Sequence, residues 1–190
     1  MTDQEPIAPL PTPPAVDNSA TRAKRLGAFL IDWVILAGFM GMLFEYLDLA
    51  PTQSMDMNAA IIEMAQKMSA LPSADYWTLF FFPYVMFFLL HGYLLFNFGQ
   101  TIGKRVMGIA IVTLDNRKPP FANLILQRYL TQWVLGMIPN FGIIIRALDV
   151  SAIFRDDKRC VHDLIAGTKV IDLRIPTAGN TPGQQGSLIV

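Results

Sequence analysis

The stretch that decides the fold is "RLGAFLIDWVIL", residues 25–36, in which Asp32 interrupts an apolar run. The run continues to residue 47, with Glu45 as its second acidic residue. At a rise of about 1.5 Å per residue, residues 26–47 would form a helix about 33 Å long, enough to cross the hydrocarbon core of a bilayer. An ionised carboxylate costs roughly 2.5 to 3.5 kcal/mol at the centre of such a helix. Asp32 therefore needs a polar partner or a function.

The composition of the whole chain is that of a membrane protein. Of its 190 residues, 53% are hydrophobic and 16% are charged, whereas about 25% of an average soluble domain is charged. The formal net charge is zero, so nothing indicates binding to nucleic acid. The single cysteine, Cys160, excludes an internal disulfide and a zinc site built from several cysteines.

A second apolar segment, residues 76–98, is equally long and contains His91 as its most polar member. We therefore predict two full transmembrane helices. Residues 1–21 are rich in proline and carry no periodic apolar pattern, and residues 176–190 are similar. We predict both as disordered tails around a membrane domain of residues 22–175. The first tail also lacks the features of a signal peptide, so we expect no cleaved leader.

The basic residues indicate the orientation of the chain. They precede the first apolar segment and follow the second, whereas the connection at residues 48–75 carries mostly acids. The positive-inside rule therefore predicts a multi-pass protein of the cell membrane with its N-terminus in the cytoplasm. In the outer connection, apolar residues recur at helical spacing, which predicts a short amphipathic helix on the outer interface. These residues are Ile61, Met64, Ala65, Met68 and Leu71.

A third apolar region, residues 121–154, is broken by Arg128, Arg146, Asp149 and a central Pro-Asn pair. It would either cross the membrane once or form a hairpin that bends near "IPNFG". A single crossing would place the basic C-terminal segment outside, against the charge rule, so we favour the hairpin.

Two segments rich in Ile, Val and Thr, "MGIAIVTLD" (107–115) and "GTKVIDLRI" (167–175), are predicted strands. They can pair only if both lie on one side of the membrane, which again favours the hairpin. The predicted fold is an all-α integral membrane protein with two full transmembrane helices, a broken third helical region and a small cytoplasmic β-pair.

The motif "GQTIGKRVMGI" (99–109) superficially resembles a phosphate-binding loop. However, only three residues separate Gly99 from the Gly-Lys pair, and Arg105 stands where Ser or Thr is required. We exclude nucleotide binding and predict a tight turn. Its Lys104 and Arg105 would meet anionic headgroups or a carboxylate.

In "RDDKRCVHDLIAGT" (155–168), the closeness of Cys160, His162 and Asp163 would suit a metal or a nucleophile with its base. Because no second cysteine or histidine lies nearby, we predict no metal, no cofactor and no enzyme activity. Asp163 is instead expected to pair with Arg25 or Lys104. His162 would assist, since its charge changes near neutral pH.

The motifs "RLGAFLID", "GQTIGKRVMGIAIVTLD" and "HDLIAGTKVI", in this order, resemble the RDD family of small integral membrane proteins over residues 22–175. The family is named for one arginine and two aspartates, which correspond by position to Arg25, Asp32 and Asp163. The resemblance implies a membrane protein whose molecular role is largely undefined, with transport of unknown ligands suggested for the family.

Two functions are compatible with the sequence, and polar groups at membrane depth favour the first of them. The first is a transport-associated protein, with Asp32 as an ion- or proton-linked carboxylate paired with Arg128 or Arg146. The second is a non-catalytic membrane scaffold or assembly factor. In either case we expect the partners to be the lipid bilayer and a second copy or another membrane protein, without nucleic acid.

Overall fold

Two long helices dominate the computed structural model, which describes residues 17–51, 56–138, 142–155 and 157–175. They are α1 (Arg22–Tyr46) and α3 (Ser73–Phe98). By length and composition both can cross a membrane, and only 11% of the apolar window of each is buried. The two predicted apolar segments are therefore confirmed as helices, with most of their surface uncovered by the described chain.

The helix ends follow from local chemistry. The side chain of Thr21 accepts a hydrogen bond from the amide of Lys24 at 3.3 Å and so caps the start of α1. Helix α3 ends at Gly99, whose φ of 61° is a left-handed conformation that favours glycine. Asp32 in the first half of α1 and His91 in the second half of α3 approach each other, with Nε2 of His91 3.9 Å from Oδ1 of Asp32.

The predicted amphipathic helix is confirmed as α2 (Met57–Ser69), which lies in the connection between the C-terminal end of α1 and the start of α3. Asp56 caps α2 by accepting from the amide of Asn58 at 2.9 Å.

The predicted tight turn after α3 is instead a short helix, α4 (Ile102–Met107). Thr101 caps its start, and Gly108, with a φ of 67°, ends it. The cap and the left-handed glycine therefore convert the expected turn into one and a half turns of helix, which pack against α1.

The predicted β-pair is confirmed. Strand β1 (Ile109–Thr113) pairs antiparallel with β2 (Thr168–Asp172). Ser19 also forms a bridge with Ile171 on the free edge of β2. The described end of the predicted N-terminal tail is therefore ordered, because its backbone satisfies that strand edge. The rest of that tail, and the predicted tail at 176–190, lie outside the described residues.

The broken third region forms two adjacent arms. A Cβ built on Gly142 would lie 2.3 Å from the carbonyl oxygen of Gly136, and Gln132 Nε2 lies 3.5 Å from Asp149 Oδ2. The arms are thus antiparallel, as expected of a hairpin. Its bend was predicted near "IPNFG" (138–142), of which residues 139–141 lie outside the described residues. The elements are α5 (Phe121–Asn123), a π-helix (Leu124–Tyr129), α6 (Leu130–Gly136), α7 (Gly142–Ser151), a 3-10 turn (Ala152–Phe154) and α8 (Val161–Ile165).

The buried core lies where the sheet meets the adjoining ends of α1 and α3 and the π-helix. Both strands are largely buried, and Ile109, Ile111 and Val170 of the sheet belong to this core. This packing holds the charged residues of the sequence motifs together. The core residues are Ala20, Ala28, Leu95, Ile109, Ile111, Leu124, Tyr129 and Val170.

Candidate functional site

The carboxylate of Asp32 faces the start of α4. Its Oδ2 accepts a hydrogen bond from Thr101 Oγ1 at 2.5 Å, and its Oδ1 accepts from the amide of Gly103 at 2.7 Å. A carboxylate is favoured there because the first amides of a helix are unpaired and carry partial positive charge. The predicted pairing of Asp32 with Arg128 is wrong, because Arg128 is bound to Asp163 instead. The side chain of Arg146 lies outside the described part of the chain.

Gly103 permits this contact. A Cβ at Gly103 would lie 2.1 Å from the carbonyl oxygen of Ala28 and 3.0 Å from Cγ of Asp32. Because side-chain carbons do not approach a backbone oxygen so closely, only glycine lets α4 reach α1 at this point. The glycine before Lys104 therefore serves helix packing.

His91 completes the environment of Asp32. Its ring is 1% exposed, and Nδ1 accepts a hydrogen bond from the amide of Ile102 at 3.3 Å. Since Nδ1 accepts, the neutral ring carries its hydrogen on Nε2, which lies 3.9 Å from Asp32 Oδ1. His91 was not predicted as a site residue, although it is the most polar side chain of the second apolar segment.

Asp163 forms the second centre of charge, and its side chain is fully buried. Arg25 Nη1 lies 3.4 Å from one carboxylate oxygen, and Arg128 Nη1 binds the other. The expected contact between Arg25 and Asp163 is therefore present. Burial favours the neutral acid, but the opposing charge of Arg128 holds the pKa of Asp163 below its usual value. This ion triad joins α1 and the π-helix to α8.

His162 links α8 to the hairpin arms. Its Nδ1 lies 2.6 Å from Asp149 Oδ2 and 2.8 Å from Gln132 Nε2, and its amide donates to Asp149 Oδ1 at 2.8 Å. On the other side of the ring, Nε2 lies 3.9 Å from Asp163 Oδ1. Burial and the charge of Arg128 lower the pKa of His162, so the neutral ring is favoured. Asp149 and Gln132 were missed as site residues because their contacts depend on the hairpin.

The two basic residues of α4 have different surroundings. Lys104 is partly buried, its Nζ lies 3.4 Å from Thr101 Oγ1, and burial lowers its pKa to about 8. Arg105 is exposed, with its guanidinium carbon 4.6 Å from the centre of the Phe98 ring. Of the two residues, only Lys104 therefore belongs to the buried cluster.

The side chains of Cys160, His162 and Asp163 bring their ligand atoms within 4.8 Å of one another. Two sets of contacts and the pKa of the thiol oppose metal binding there. Asp163 is bound by two arginines, the sulfur of Cys160 accepts from the amide of Asp163, and burial raises the pKa of the thiol to about 11. A metal needs the thiolate and a free carboxylate, so these residues do not fit a metal as they are arranged.

Comparison with known proteins agrees with the motifs. The model of the RDD family matches residues 19–167, which include both charged centres. A stretch of 72 residues is 36% identical to "Uncharacterized protein YckC" of Bacillus subtilis (strain 168) and covers 38% of this chain and 46% of that protein. The match thus spans about half the length of that relative. No solved structure matches the chain.

Proposed function

This chain belongs to the RDD family, a family of small membrane proteins, and from that premise we propose that it is a non-catalytic membrane scaffold. In this proposal the buried charges hold a compact cytoplasmic face together. The lateral surfaces of the two long helices then face lipid and a second copy or another membrane protein. Nucleic acid and a chemical substrate have no part in it.

One observation carries the proposal: the two motif aspartates are both engaged in contacts within the chain. Asp32 joins α1 to α4 through Thr101 and Gly103. Asp163 joins α8 to two other elements through arginines. A carboxylate that carries an ion or proton must exchange partners, and here exchange would release a helix cap or a buried charge. This supports a structural role for both aspartates.

The proposal includes a topology, with the sheet and both termini in the cytoplasm of a multi-pass protein. The basic residues near the sheet end of the spans support it. The test is a Ser187→Cys variant treated in intact cells with a membrane-impermeant thiol reagent. The native Cys160 is buried, so wild type gives the background. We expect labelling only after the cells are opened, and labelling of intact cells would overturn this topology.

Transport through Asp32 is the second candidate, favoured by the buried imidazole of His91 that lies 3.9 Å from the carboxylate. A carboxylate and a histidine at membrane depth are groups that a proton pathway uses. The two candidates differ in what neutralisation of Asp32 should do. A structural carboxylate affects stability alone, whereas a proton-linked carboxylate also controls flux.

The deciding experiment places wild type and Asp32→Asn in vesicles loaded with a pH-sensitive dye, under imposed proton, sodium or potassium gradients. Asn can still accept one of the two hydrogen bonds, so this variant should fold with a lowered melting temperature. The scaffold proposal expects both proteins to dissipate the gradients no faster than protein-free vesicles. Flux in wild type that is lost in a folded Asp32→Asn variant would overturn the scaffold and support transport.

A further inference from the structure

Helix α2 carries an uncovered apolar stripe. Met57, Ile61, Met64 and Met68 are spaced so that they fall on one face of the helix. Met57, Ile61 and Met68 are 75%, 59% and 39% exposed, and α2 contains no buried residue within the described chain. Such a stripe requires an apolar surface to cover it.

The connections of α2 determine where that surface is. Only residues 70–72 separate α2 from the start of α3, which limits the gap to about 13 Å even for an extended chain. At the other side, Lys67 Nζ donates to the carbonyl of Ala50 at 2.8 Å and lies 3.5 Å from Asp48 Oδ1. Since residues 48 and 50 directly follow α1, both spans hold α2 at the membrane boundary opposite the sheet.

Exposed aromatic side chains lie at the same ends of α1 and α3 to which α2 is connected. Tyr46 at the end of α1 is 83% exposed, and Tyr76 and Trp77 near the start of α3 are 49% and 55% exposed. Tyrosine and tryptophan favour the headgroup region of a bilayer. The stripe of α2 therefore lies next to exposed aromatic residues of the type that favours the headgroup region.

We propose that α2 lies flat on the bilayer opposite the sheet, with the Met57–Met68 stripe in the boundary between headgroups and acyl chains. The occupant of this face is lipid. Within α2, Glu63 and Lys67 lie 3.3 Å apart and balance each other in charge. Binding therefore depends on the apolar side chains and does not require anionic lipid.

The test uses full-length Ile61→Cys and Gln66→Cys variants, each carrying an environment-sensitive fluorophore, in phosphatidylcholine vesicles. Gln66 is exposed on the opposite face of α2 and serves as the matched control. Nitroxide-bearing lipids should quench the label at position 61 at least about twofold more than that at position 66. Aqueous iodide should show the reverse order. Met57→Cys supplies a second site on the stripe if Ile61→Cys does not fold.

Three results would overturn the proposal. Equal quenching by nitroxide lipids at the two faces would mean that α2 stands away from the bilayer. Protection of position 61 from both nitroxide lipid and iodide would mean that protein, such as a second copy, covers the stripe. Nitroxide quenching that appears only after anionic lipid is added would mean that charge, and not the apolar stripe, drives the contact.

Discussion

Replacement of Gly103 by alanine tests the contact between α1 and α4. The new Cβ would lie 2.1 Å from the carbonyl oxygen of Ala28, and ordinary contact begins near 3.4 Å. The atoms nearest to that Cβ are the Ala28 backbone and the Asp32 carboxyl carbon, so α4 has to move away by about 1 Å or more, which is enough to break hydrogen bonds of ordinary length. Both hydrogen bonds that Asp32 accepts would be lost or lengthened.

The size of the effect follows from those bonds. A hydrogen bond to a charged group contributes about 1.5 to 3 kcal/mol, so the loss of two predicts a decrease of at least about 3 kcal/mol in the free energy of unfolding. For a chain of this size, that corresponds to a decrease in melting temperature of about 6 to 12 °C. The loss should be shared with Asp32→Ala, because each change removes the same two bonds. The double variant should therefore melt close to the less stable single variant.

The assay is thermal unfolding of the purified protein in detergent, followed by tryptophan fluorescence. Gly38→Ala is the matched control, because a Cβ there has no neighbour within 4 Å. Alanine favours a helix over glycine, so this control should melt at or slightly above the wild-type temperature. A Gly103→Ala protein that melts with the control would refute the reasoning about the close approach. Additive losses in the double variant would refute the assignment of the effect to the bonds of Asp32.

Three further predictions concern the buried charges. Asp32→Ala should reduce the folded protein in membranes more than Glu45→Ala, because Glu45 is exposed; equal amounts in the two membrane fractions would contradict this. Arg128→Met should lower the free energy of unfolding by about 3 to 5 kcal/mol, because Asp163 stays buried with one partner fewer. Adding Asp163→Leu to the Arg128→Met variant should restore part of the lost free energy of unfolding, as measured by denaturant unfolding. No recovery would argue against the ion pair between Arg128 and Asp163. Lys104→Met should stabilise the protein at pH 7 by up to about 3 kcal/mol, since the pKa of Lys104 falls from 10.5 to about 8 on folding. From pH 8 to 10.5 the unfolded chain binds more protons than the folded chain, so the stability of the wild type rises with pH. The difference in stability between the variant and the wild type should therefore vanish near pH 10.5.

Local patterns in the sequence predicted the main elements. The apolar segments predicted α1 and α3, because length and hydrophobicity alone make a helix able to span a bilayer. The Ile, Val and Thr content predicted both strands. The contact between Arg25 and Asp163 was one of the two pairings expected for Asp163, because a buried charge needs an opposite one.

The partner of Asp32 was not predictable from a search for opposite charges. Its carboxylate is satisfied by a hydroxyl and an amide at the start of α4, which the sequence alone presented as a turn. Arg128 was misassigned for a second reason. It was predicted only as a buried cation that needs a carboxylate, and the fold supplies Asp163 as that carboxylate.

By itself, the sequence determined the two long helices, the helix between them and both strands, since these depend on composition and short-range spacing. The tertiary structure alone decided which buried charges meet. Asp32 contacts α4 because Gly103 has no Cβ, which allows α4 to pack closely against α1. Asp163 meets Arg128 because the hairpin and the β-pair return the chain to the start of α1. Such contacts depend on where distant segments come to lie, which no local pattern encodes.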